Sequence, residues 1–169
     1  LIAYLLFQTG NFTALSFIGS WLAKDFGADQ NAIGTAMIVI GFGNAIGSLT
    51  GSRLVARLGE RRSLLFGIVA LGAIYLGTAF VSSMRVAVIV LAVAMLVGGF
   101  LFPVLMSELQ SHTDLARGTV SSLASAAMYA GATVGGAIGG HLLSRFTGYS
   151  GVAVFTVVAY AVSLGVYAL

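Results

Sequence analysis

From Val86 to Ser107 the chain carries no charge, and Val86 to Met106 is apolar but for two glycines and a proline. A run of about 20 such residues crosses the hydrocarbon core of a bilayer as a helix, because backbone groups in lipid must be bonded within their own segment. Five further apolar runs, punctuated by polar residues, place spans at 1–22, 31–55, 63–82, 119–143 and 150–169. The connections expected between the six are short: Lys24 to Gln30, Ala56 to Arg62, Ser83 to Arg85, Ser107 to Gly118 and Ser144 to Tyr149. The fold class is therefore an all-α membrane protein, one bundle of six transmembrane helices over 1–169, with no room for a soluble domain. Composition agrees. With 59% hydrophobic and 8% charged residues and a mean hydropathy of +1.03, the chain lacks the polar residues to clothe a soluble core.

Charge then orients the bundle. Four of the eight Lys and Arg residues, Arg53, Arg57, Arg61 and Arg62, sit in or beside the turn between the second and third spans. Basic residues stay preferentially in short cytoplasmic loops. With that turn inside, Arg117 and both ends of the chain are also inside, while Lys24, Arg85 and Arg145 fall outside. The net charge of +3 and pI near 9.6 are explained by this loop bias, and no nucleic-acid partner is implied. The absence of Cys excludes disulfides and thiolate metal sites, no metal-ligand spacing occurs, and no cofactor motif is found. The single lysine, Lys24, follows Ala23, so there is no P-loop for an ATP-driven pump. The chain starts at Leu1 inside an apolar run, without a basic leader, and is read as part of something longer.

The chain divides near Ser83 into two three-helix units, each with a glycine-rich middle helix: Gly43, Gly47 and Gly51 in the second span, Gly131, Gly135 and Gly139 in the fifth. Such correspondence is expected of an inverted 3+3 repeat. A spacing of four puts each trio on one helical face, where a neighbouring backbone can approach closely. Such a face serves either tight packing inside the bundle or an interface with a second six-helix unit. The expectation is that both faces point outward, toward such a unit.

Polar groups inside spans need partners or a wet cavity. Tyr4, Gln8 and Asn11 share one face of the first span and are the main candidates to line a substrate cavity, with an interhelical hydrogen bond as the alternative. Asn44 in the second span and Ser125 with Tyr129 in the fifth are weaker candidates. Phe100, Phe102 and Met106 are candidates for an apolar lining or for ordinary packing. Trp21 and Tyr149 read as interfacial anchors, Pro103 as a helix kink, and His141 as a solvated residue near a span end. Gly148-Tyr149-Ser150-Gly151 reproduces the Gly-x-Ser-Gly string of rhomboid proteases, but no His follows Ser150 to act as base.

Residues 52–62, Ser-Arg-Leu-Val-Ala-Arg-Leu-Gly-Glu-Arg-Arg, resemble the loop between the second and third helices in each half of a Major Facilitator Superfamily transporter. Leu54, Arg57, Gly59 and Arg61 match its pattern; Ser52 stands for a Gly, Ala56 for an Asp and Glu60 for an Arg. The missing Asp is similar to the degenerate copy in that family's C-terminal half. Gly131, Gly135, Gly136, Gly139 and Gly140 resemble the antiporter motif of the fifth helix of drug:proton antiporters, with Gly136 where that motif has Pro. The resemblance implies the C-terminal half of a twelve-helix permease of the drug and sugar efflux type, in the inner membrane, moving a small solute by alternating access against a second six-helix half. It further implies a gating turn of Ser52, Leu54, Arg57, Gly59, Arg61 and Arg62, with Glu108 close to Arg57 or Arg61. No Arg occurs in the fourth span and no carboxylate lies deep in any span, so any coupled proton is expected to titrate in the other half. Alternatives are a self-contained six-helix transporter working as a homodimer, a rhomboid-like protease, or a structural membrane subunit.

Overall fold

The computed structural model describes residues 1–111 and 117–168, without the side chains at 52, 54, 56, 58, 111, 117 and 168. The side chains of Ser52 and Leu54 in the expected gating turn thus lie outside the described residues. Every regular element among the described residues is a helix: α1 (Ile2–Leu15), α2 (Ile18–Phe26), α3 (Gln30–Leu58), α4 (Glu60–Gly77) with a short 3-10 extension (Thr78–Phe80), α5 (Met84–Ser111), α6 (Arg117–Arg145) and α7 (Ser150–Ala168). Taking α1 and α2 as one broken rod, these are the six expected spans.

Among the described residues, four helical stretches are long and apolar enough on their own to cross a membrane: Gln30–Gly51, Glu60–Phe80, Met84–Gln110 and Ser150–Tyr167. The other two rods fall short for identifiable reasons. Glycine and hydroxyl residues lower the hydropathy of α6, and the first rod is interrupted at Ser16 and Phe17, where Phe17 leaves helical geometry with φ −116° and ψ 10°. The hydroxyls of Thr9 and Thr13 donate back to the carbonyls of Leu5 and Thr9, a pattern that bends helices, and the Phe17 ring lies against Gly139 and Gly140 of α6.

A corner replaces the expected loop from Ala56 to Arg62. Both helices run up to Gly59, the single residue between them, whose φ of 80° and ψ of 155° belong to a region that only glycine occupies readily. Arg57 falls in the last turn of α3 and Glu60 in the first turn of α4, each with the sign that the helix dipole favours. At the opposite end Asp29 caps α3 by accepting from the Ala32 N–H at 2.8 Å.

In space the helices follow the order α3, α5, α4, α7, α1, α6, each packed on the next. Exchanging α1 with α5, α3 with α6 and α4 with α7 turns this order into its own reverse, the neighbour pattern expected of two three-helix units related by a two-fold. Because each unit has three spans, an odd number, the second runs opposite to the first, as an inverted repeat requires. The α4 and α7 helices form the back of the bundle and α3 and α6 its two outer arms.

Both glycine rows are buried between helices of this bundle, which corrects the expectation that they face outward. A Cβ at Gly43 or Gly47 would run into the backbone of Ala92 or Leu96 on α5, and Gly99 of α5 meets the Asn44 carbonyl in return. On the other arm, Gly131 and Gly135 lie against the backbone of Gln8, Thr9 and Thr13 on α1, and Gly139 against the Phe17 ring. Lipid tails are as apolar as the helices, so close backbone packing of this kind is what draws an arm onto its neighbour. The remaining faces of α3 stay exposed, including Ile38, Phe42 and Leu49.

The α1–α7 seam is held differently. Tyr149, Thr156 and Ser163, seven residues apart, donate their hydroxyls to the carbonyls of Ala14, Gly10 (3.1 Å) and Ala3 (2.7 Å). Above them Trp21 is 1% exposed, packs 4.6 Å from the Tyr149 ring and donates to Asp25 at 2.8 Å. Trp21 and Tyr149 are therefore core residues of one bundle end, in place of the interfacial anchors expected. Their polar atoms find partners inside the protein, which removes the need for the wet interface.

Candidate functional site

Between the arms, α1, α3, α5 and α6 enclose a cleft of about 200 Å³. Both repeat units contribute to it, since α1 and α3 belong to the first and α5 and α6 to the second. Three of the six candidate residues meet there: Gln8 and Asn11 from α1 and Asn44 from α3, joined by Ser48 of α3. The apolar part of the wall comes from Phe7, Met95, Phe102 and Met128, among others.

The amides are positioned from behind by tyrosines. Gln8 is almost fully buried, and its Nε2 donates at 2.9 Å to the hydroxyl of Tyr4, which is 0% exposed and sits one turn earlier on the same face. The Tyr160 hydroxyl of α7 reaches the Asn11 Oδ1 at 3.4 Å, and its ring stacks on Phe7 at 4.9 Å. Tyr4 is thus a support for the cleft and does not line it. Each amide spends only one donor or acceptor on these contacts, and a side-chain amide offers two donors and two lone pairs, so hydrogen-bonding capacity remains for a guest. Ser48 is tied to the Gly99 carbonyl at 3.2 Å, across the glycine contact between α3 and α5. The cleft carries no formal charge among its lining residues. It is suited to a small neutral or amphipathic solute held by amide hydrogen bonds against apolar walls.

The other candidates lie elsewhere. Ser125 and Tyr129 are exposed on α6, outside the lining of this cleft. Phe102 lines it; Phe100, packed beside Gly47 and Gly51, lines a different cleft, between α3, α4 and α5; and Met106 packs partly buried on the core. Pro103 stays within α5. Ser150, the serine of the protease-like string, donates to the Thr147 carbonyl at 2.9 Å at the start of α7. Ser48 and Tyr160 escaped the sequence reading. An isolated Ser or Tyr in a long apolar helix gives no sign of which neighbour it will meet.

At the basic corner, Glu60 accepts from the Ser107 hydroxyl of α5 at 2.5 Å, tying the start of α4 to α5. Glu108, one residue further on, lines a separate cleft with Leu1, Ala3, Val120 and Tyr167, on the α1, α6 and α7 side. Arg53 and Arg57 line a third cleft, between α3, α4 and α5.

The sequence profile of the Major Facilitator Superfamily matches residues 1–169. YceJ of Bacillus subtilis (strain 168), described as an uncharacterized MFS-type transporter, is 40% identical over 167 residues, covering 99% of this chain and 43% of that protein. The chain spans less than half the length of this curated relative. No solved structure matches the chain.

Proposed function

Because the chain belongs to the Major Facilitator Superfamily, a family of membrane transporters, we propose that it is one six-helix half of a permease that moves a small solute by alternating access. The cleft of Gln8, Asn11 and Asn44 is this half's share of the substrate site. The observation that carries the reading is that these amides, from two helices, meet in a cleft to which both inverted units contribute; transporter sites lie characteristically at such repeat interfaces. A second half is supported by the 43% share of the relative that the chain covers, and no longer by the glycine rows, which are used inside the bundle. Ala56 in the place of the family's Asp, and an uncharged stretch from Val86 to Ser107 where an N-terminal half places an Arg, favour the C-terminal half, and the likeness of Gly131, Gly135, Gly139 and Gly140 to the antiporter motif favours efflux. Any coupled proton then titrates outside this half. The basic corner faces the cytoplasm in this reading.

The cleft is tested by its wetness in the full-length protein, cleared of any cysteines outside this chain. Cysteines replacing Asn11 and Asn44 should react with a water-soluble thiol reagent far faster than one replacing Val69, an exposed apolar residue on α4 that faces lipid in this reading. Equal, slow reaction at all three would remove the cleft from the transport path.

A further inference from the structure

The cleft between α3, α4 and α5 is separate from the amide cleft, although its Arg57 also belongs to the turn that the family resemblance makes a gate, and it is built for an amphiphile. We propose that it binds an anionic phospholipid of the leaflet that the Gly59 corner faces. Its volume of about 510 Å³ is in the range of small-molecule sites, roughly 300–1,000 Å³. Two guanidinium groups, Arg53 and Arg57, lie one turn apart on α3 and line one end of it, and no carboxylate is among its lining residues. The acid of the corner, Glu60, is held by Ser107 beside a neighbouring cleft.

A second observation points to a ligand independently of the charge. Ser63, in the first turns of α4, lines the same cleft, is 1% exposed, and its hydroxyl has no hydrogen-bond partner among the described residues. A buried hydroxyl left unpaired is costly, and most find an acceptor. A phosphodiester oxygen beside the two arginines would supply it. Beyond Ser63 the wall turns apolar, with Phe66 and Ala70 on α4 and Leu96 and Val97 on α5. Ala70 is about 10 Å along α4 from Ser63 at 1.5 Å per residue. Phe66 is 68% exposed at the edge, so the cleft opens sideways, where the acyl chains of a bilayer lie. A free anion would use only the charged end, whereas a lipid fills both ends: head on arginine and serine, chain along the apolar wall. Basic residues near an anionic leaflet favour anionic lipid in any case, and here they are joined to a groove.

The test is lipid retention by the purified full-length protein in nanodiscs of equal phosphatidylglycerol and phosphatidylcholine, read by native mass spectrometry. It needs no transported substrate, so it stands or falls apart from the transport reading. Phosphatidylglycerol should be retained about thirty-fold over phosphatidylcholine, the equivalent of roughly 1 kcal/mol for each arginine. Arg53→Gln with Arg57→Gln should abolish the preference, Arg53→Lys with Arg57→Lys should keep most of it, and Arg85→Gln, at the far end of the bundle, should leave it unchanged. Ala70→Trp, at an exposed edge of the groove, should cut retention several-fold with the charges intact, and it decides the matter if the glutamine pair does not fold. Equal retention by the wild type and the glutamine pair overturns the proposal. So does a preference that ignores Ala70→Trp or is displaced by millimolar inorganic phosphate, since either describes an anion site without a chain.

Discussion

A methyl group is too large at several positions of this chain, and the obstacle there is backbone. Gly47 faces the Leu96 carbonyl and Gly135 the Thr9 carbonyl, whereas Gly41 and Gly136, on the same two helices, have nothing within 4 Å of an added Cβ. Side chains swing aside at small cost, but carbonyls of a packed helix move only with the helix, and overpacking costs typically 1–3 kcal/mol. Gly47→Leu and Gly135→Leu should therefore lower the melting temperature of the full-length protein and its yield of monodisperse material, while Gly41→Leu and Gly136→Leu leave both near the wild type. Equal effects from all four would mean that the arms are not held by backbone contact. An outward-facing glycine row would have shown itself differently, as lost transport with intact folding.

The broken first rod is held at the element scale by two unlike devices. On one side α6 accepts it by glycine contact; on the other α7 and the residue before it grip it with hydroxyls every seven residues, at Tyr149, Thr156 and Ser163. Interhelical hydrogen bonds in membranes average only about 0.6 kcal/mol, because alternative partners exist in the unpacked state. Thr156→Val and Ser163→Ala should each produce a small loss of thermal stability, and the double variant should add to about 1 kcal/mol without altering cysteine accessibility at Asn11. A loss several times larger would show that the seam organises the cleft as well as holding it. Support for that coupling would come through Tyr160, which stacks on Phe7 and reaches Asn11 from the same helix.

For the whole molecule, the two-fold order of the six rods leaves α4 and α7 at the back and the amide cleft between the arms, so the cleft side is where a second half would close the site. The arms keep broad exposed faces, and Tyr129 on α6 and Phe42 on α3 are both about two-thirds exposed. The proposed orientation, with the Gly59 corner inside, rests on the arginines there. Cysteine replacing Glu60 should be labelled by a membrane-impermeant reagent only after the cells are opened; labelling of intact cells would invert the topology and move the proposed lipid site to the outer leaflet. The bias is modest, because Lys24, Arg85 and Arg145 lie at the other end.

What the amino-acid sequence determined by itself is what lipid demands of any chain: the number and approximate limits of the spans, their division into two units, and hence the inverted sense of the second. The motif at residues 52–62 carried the family. Gln8, Asn11 and Asn44 were legible as candidates for a cavity because an amide in an apolar run must find a partner or water, and they do line one cleft. Tertiary structure alone decided which way each helix faces, because a span is apolar on all sides and hydropathy does not distinguish lipid from a neighbouring helix. The glycine rows turned inward for that reason, Trp21 and Tyr149 became core, and Ser125 and Tyr129 fell outside the cleft. The hydroxyls of Ser63, Thr156 and Ser163 looked alike in the sequence. Packing gave two of them a carbonyl on α1 and left the third facing an arginine-lined groove.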